Sequence, residues 1–230
     1  MSKDMLGPVI RAAVGVPQNR LEVLAKIASA MAADSPVGND WHEQLKKLLK
    51  EGLALPIDFE RNENGHIVFT IIGLDITGAE EIKRIEASGY RIGDWARSCL
   101  TSTKADGYDK NHRLVAEKEY KIVLIPGKEI AKDSDRTTKD LQKLAEKYGY
   151  DKPLAGIVPR VRESISDKQM EEMGIWYIVA LHDPIIGSDG DPGVLSSVRS
   201  DDGLWLSGYW DDPDDEWGDG GAFAFLVPAS

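Results

Sequence analysis

Carboxylates and tryptophans crowd one stretch of this chain. Between Asp183 and Asp219 stand eleven carboxylates and a single cation, Arg199. Within it, Asp211, Asp212, Asp214, Asp215, Glu216 and Asp219 surround Trp217, and Trp205 and Trp210 lie just upstream. Such a mixture suits binding, because carboxylates attract cations and an indole face attracts Lys or Arg through its quadrupole. These six acids and Trp217 are the candidate binding residues, and the expected ligand is a basic protein partner or a cation. Solvated turn carboxylates around an inward-packing tryptophan would account for the same residues. Asp189 and Asp191, in the glycine-rich turn 187–193, are the candidate metal ligands for a divalent cation such as calcium. The turn lacks the further oxygen ligands and closing glutamate of an EF-hand. Glycoside hydrolysis uses these residue types too, as two carboxylates set about 5 or about 9 Å apart, a separation that sequence spacing leaves open.

Other chemistry has thinner support. The four histidines, His42, His66, His112 and His182, include no pair at i+3 or i+4, so zinc hydrolysis is not expected. No Gly-x-Ser-x-Gly elbow occurs, and Gly127-Lys128 lacks the upstream glycine of a phosphate-cradling loop. His182-Asp183 precedes Pro184 and reads as a strand-end turn, with a metal or catalytic role as the alternative. Cys99, between Trp95 and Leu100 on an expected helix, reads as a small buried hydrophobe rather than a thiolate nucleophile.

These residues need a scaffold, and the composition supplies one. The 230 residues are 42% hydrophobic and 29% charged, ordinary values for a chain that buries a core. A lone cysteine forms no internal disulfide, which fits a reducing compartment. Lys3, Asp4, Arg11 and Arg20, with Pro8 and Pro17, interrupt any secretory apolar run, so a cytoplasmic protein without a membrane span is expected. Of the chain's net charge of −11, ten units belong to the acidic segment, and the remainder is near-neutral. Direct nucleic-acid binding is not expected from that balance.

The expected organisation is a helical segment over residues 1–52 followed by an α+β domain over 53–230, whose acidic portion runs from 183 to 219. Leu21, Leu24, Ile27 and Met31, then Trp41, Leu45, Leu48 and Leu49, recur at helical spacing and predict an N-terminal helical hairpin. Asn62 to Gly65 predicts a hairpin turn between Ile57–Phe59 and the apolar run 67–72. Thr77 with Glu80, and Ser166 with Gln169, form capping-box patterns that open helices, and Gly89 and Gly174 close them. Thr137 or Thr138 is expected to cap a helix bearing Leu141, Leu144 and Tyr148. Runs 67–72, 121–125, 175–181 and 222–227 are apolar over successive residues, as strands are when both faces of their sheet are covered. The overall expectation is a mixed sheet covered by helices, ending in short antiparallel strands at 194–198, 204–210 and 222–227, with the tightest turn at Ser200-Asp201-Asp202-Gly203.

Several of these stretches carry a resemblance. Gly89-Tyr90-Arg91, Ile125 to Ile130, Ile165-Ser166-Asp167, Met173 to Ile178, and Tyr209 to Asp212 with Trp217 and Gly221 to Phe225 resemble a group of proteins encoded in genomes of uncultured candidate-phylum bacteria. The resemblance runs from about Gly65 to the C-terminus. It implies no activity, cofactor or partner, because none is assigned to that group, and fold likeness alone would supply none. Three classes of function stay open. The first is a non-enzymatic binding protein using the acidic, Trp-containing C-terminal surface. The second is a metal-assisted or carbohydrate-directed hydrolase using Asp189, Asp191 and His182 with the later acids. The third is an acidic mimic of nucleic acid that occupies a basic protein.

Overall fold

The computed structural model describes residues 59–228, apart from Ala131, Asp201, Asp202 and Pro213. The helical hairpin expected over 1–52 lies outside those residues, as do Ile57 and Asp58. Among the described residues the chain forms one mixed sheet of nine strands, with six α-helices. The strands are β1 (Glu60–Arg61), β2 (Ile67–Ile72), β3 (Arg91–Ile92), β4 (Glu119–Pro126), β5 (Tyr177–Ala180), β6 (Ile185–Ile186), β7 (Pro192–Ser200), β8 (Gly203–Trp210) and β9 (Gly221–Leu226). The helices are α1 (Gly78–Ala87), α2 (Asp94–Leu100), α3 (Tyr108–Asn111), α4 (Thr138–Lys147), α5 (Ile157–Ser164) and α6 (Asp167–Glu172).

The spatial order of strands is β1-β2-β4-β9-β5-β7-β8-β3, and β6 pairs with β7 beside that path. All four long apolar runs lie in this sheet, and alternation explains why they are apolar throughout. On one face Phe69, Ile122, Leu124, Ile178, Ala222 and Ala224 join a core built with α1, α2, α3, α5 and α6. On the other, Val68, Val123, Val179, Phe223 and Phe225 meet Leu141 and Ala145 of α4. Residues of both parities are therefore buried, and a strand covered on both sides carries no polar alternation.

Capping decides where the helices begin. Thr77 and Ser166 both form complete capping boxes, with Glu80 and Gln169 respectively. Thr137 caps α4 by accepting the Asp140 N–H at 3.1 Å. Gly89 closes α1 with φ of +84°, a left-handed conformation that costs a residue with a Cβ more than glycine.

Strand limits depart from expectation at both ends of β5. The Ile175 and Trp176 N–H groups donate to the Met170 and Gly220 carbonyls, and only the Trp176 carbonyl, which accepts the Arg199 N–H, reaches β7. The C-terminal hairpin is antiparallel as expected, with Ser200 opposite Gly203. β9, in contrast, runs antiparallel to β4 and parallel to β5. Since β5 is antiparallel to β7 and β7 to β8, strands β8 and β9 point the same way. The ten residues from Asp211 to Gly220 must therefore return along the sheet, crossing from the end of β8 to the start of β9.

Candidate functional site

The crossing segment lies on the face that, among the described helices, α4 alone covers. Trp217 packs there on Tyr209, Tyr177 and Phe223, with ring centroids at 5.5, 6.1 and 6.4 Å. Its indole N–H donates to Thr138 Oγ1 at 2.9 Å, and the Thr138 hydroxyl donates onward to Asp211 Oδ1 at 3.1 Å. One hydroxyl at the start of α4 thus ties Asp211, where the segment begins, to Trp217. Arg136, itself buried, donates from Nε to the Trp217 carbonyl at 2.9 Å, while the Trp217 N–H donates to the Arg136 carbonyl at 3.0 Å. Further along, the Tyr177 hydroxyl donates to the Gly218 carbonyl at 3.0 Å. That phenol reaches Gly218 because its ring lies over Gly221, where a Cβ would sit 2.3 Å from ring atoms. Residues 211–220 form a strap anchored at Asp211 and again from Glu216 to Gly220.

Anchoring sorts the predicted binding residues into two kinds. Trp217 faces the sheet and acts as a half-buried plug. Asp211 is 6% exposed, and burial raises its carboxyl above the ordinary aspartate range, a shift opposed by the Thr138 hydrogen bond. It is an internal link and not part of the exposed acidic surface. Asp214, Asp215, Glu216 and Asp219 are exposed, and Asp212 is half-buried, accepting the Asp214 N–H at 3.0 Å. None of these five makes an ion pair with a described residue. Trp210, at the head of the strap, is 53% exposed and faces solvent.

The two acidic turns meet at one end of β7 and β8. The Asp211 N–H donates to the Pro192 carbonyl at 3.1 Å, next to Asp191, and Gly193 pairs with Trp210. Asp189 is turned inward on its own loop: its carboxylate accepts the Asp191 N–H, which lowers its pKa, and Ser98 adds to the shift. Among the described residues, no three His, Cys, Asp or Glu side chains converge as a metal site would require.

His182 lies two residues beyond β5 and is completely buried. Its Nδ1–H donates to the Asp183 carbonyl at 2.7 Å, and its Nε2 accepts the Leu195 N–H at 3.0 Å. Both ring nitrogens are committed to backbone, so this ring offers no base to a substrate. Asp183 pairs with Lys152 at 2.7 Å. Cys99 is buried, and burial, with Asp189 adding, pushes its thiol up to about 12.

Two polar clusters escape sequence reasoning. Glu81 of α1 and Glu163 of α5 share Arg84 and Arg160: Arg160 lies 2.6 Å from Glu81 and 3.1 Å from Glu163, and Arg84 pairs with both carboxylates. Burial pushes the Glu81 carboxyl up to about 7, Arg84 opposes it, and Glu163 adds to it. The close guanidinium of Arg160 favours the charged form further. The i,i+3 spacings Glu81/Arg84 and Arg160/Glu163 are visible in sequence, but nothing there matches one pair to the other across 79 residues. The second cluster joins the β1–β2 turn to the end of α4. Tyr150 Oη accepts from Asn62 and Asn64 amides at 2.6 and 3.1 Å and faces His66 Nδ1 at 2.9 Å.

Fold and site together define an α+β protein with a mixed sheet and an anchored acidic strap. No family model, curated protein or solved structure matches the chain. No helix among the described residues is long and apolar enough to cross a membrane.

Proposed function

We propose that this chain is a non-enzymatic binding protein of the cytoplasm that docks a basic segment of a partner protein on the strap. The observation that carries the proposal is the set of exposed Asp214, Asp215, Glu216 and Asp219 with half-buried Asp212, unpaired by any described cation and carried on a strap anchored at Asp211 and from Glu216 onward. Anchoring matters because a preorganised surface loses less conformational freedom on binding than a mobile loop does. Trp210 supports the same reading, as an exposed indole beside carboxylates is a platform on which an arginine stacks.

The test uses a short arginine-rich peptide titrated into the protein at low and at physiological ionic strength. A variant carrying Asp212→Asn, Asp214→Asn, Asp215→Asn and Asp219→Asn serves as the comparison. Wild type is expected to bind and to weaken as salt rises, and the variant to lose about tenfold or more in affinity. Equal affinity for both proteins would refute the assignment to the strap. Calcium is the second probe: thermal stabilisation of wild type but not of the variant would replace the peptide with a divalent cation as the ligand.

A further inference from the structure

We infer that His112 and His182 form a proton-sensitive latch, which ties the turn ahead of α5 to the corner between β5 and β7 and opens on acidification. The two rings meet edge to face with centroids 4.9 Å apart, and both side chains are buried. Each closes a different backbone junction. His112 Nδ1 accepts the Ala155 N–H at 3.3 Å, and its own carbonyl accepts the Gly156 N–H at 3.0 Å, which joins the end of α3 to the turn before α5. His182 joins β5 to β7 through Asp183 and Leu195.

Each bond to a ring nitrogen that accepts an N–H requires a lone pair, so each works only with a neutral imidazole. A proton taken from solvent on His112 Nδ1 removes the acceptor for Ala155 and sets a charge against the second ring. The charged groups facing the pair do not cancel this. Asp183, after β5, and Asp106, ahead of α3, favour a charged His112, but burial is the larger effect and lowers its pKa below 6.5. His182 is pushed down to about 3 by burial first and by His112 next, with Lys152 acting the same way against Asp183. His112 therefore protonates first, and its charge discourages the second protonation.

The sign follows from linkage. Both native values lie below that of a free imidazole, so the opened state binds more protons, and the latch is fully effective above pH 6.5 and weakens as pH falls below it.

Native-state hydrogen exchange on the full chain tests this, with rates corrected for intrinsic pH dependence. Below pH 6.5 the protection of the Ala155 and Leu195 amides is expected to fall by up to about tenfold per pH unit, and to stay below that of Val123 in β4, because the latch opens without global unfolding. His112→Asn places an oxygen where Nδ1 stands and does not titrate, so it should remove the pH dependence at Ala155. Should that variant fail to fold, ring-proton NMR of wild type serves instead, with a His112 midpoint below 6.5 expected. Flat protection at Ala155, protection at Ala155 equal to that at Val123 at every pH, or a ring titrating at or above 6.5 would overturn the latch.

Discussion

The seam between α1 and α5 and the strap from Asp211 to Gly220 both concentrate charge, yet they treat it in opposite ways. In the seam Glu81 and Glu163 are matched by Arg84 and Arg160, and each carboxylate touches both guanidiniums. In the strap four exposed carboxylates and the half-buried Asp212 stand without a cation from the described residues. The contrast separates charge used to hold elements together from charge left for something outside. Desolvated ions demand partners within the fold, whereas hydrated ones do not, so the unmatched set is the one free to recruit a ligand.

The sharpest way to break this contrast is to unmatch the seam. Arg160→Met leaves Glu81 buried with Arg84 alone and is expected to cost about 3–5 kcal/mol in unfolding by denaturant. Combining it with Glu81→Leu should recover most of that loss, because an apolar pair of similar volume replaces the ions without leaving a charge behind. A single variant within about 0.5 kcal/mol of wild type would mean that the seam is not holding α1 to α5.

How much of this was open to sequence reasoning depends on the distance over which each feature acts. The capping boxes at Thr77 and Ser166 act within three residues and were legible, and so were the four strands, whose uninterrupted apolar character reports cover on both faces. The two-residue strands β3 and β6 were not legible, since they are defined by their partners β8 and β7 and carry no pattern of their own. The acidic stretch was visible as composition. Its division was not: Asp211 and Asp212 are adjacent and identical in type, and only Thr138, 73 residues away, makes the first an internal link. The seam and the histidine pair are invisible for the same reason.

Asp211 supplies a smaller test of the same division. Burial raises its carboxyl, so the charged form costs the folded state something that an amide does not. Asp211→Asn keeps an acceptor for Thr138 and is expected to gain up to about 1 kcal/mol at neutral pH. The gain should shrink as pH falls through the native value and vanish below the unfolded value near 3.8, where both proteins carry a neutral group. A loss at neutral pH comparable to the seam variant would show that the Asp211 charge itself is needed. That would erase the distinction between Asp211 and the exposed acids.

Mapping where a basic ligand lands tests the central claim most directly. An arginine-rich peptide would be titrated into isotope-labelled protein while backbone amides across the chain and the indole N–H of Trp210 are followed by NMR. Saturable shifts are expected at residues 212 and 214–219 and at Trp210, reversing as salt is raised, with the amides of Arg84 and Arg160 in the seam unmoved. Shifts gathered on another face, or an undiminished response in the Asn variant of the strap, would contradict it.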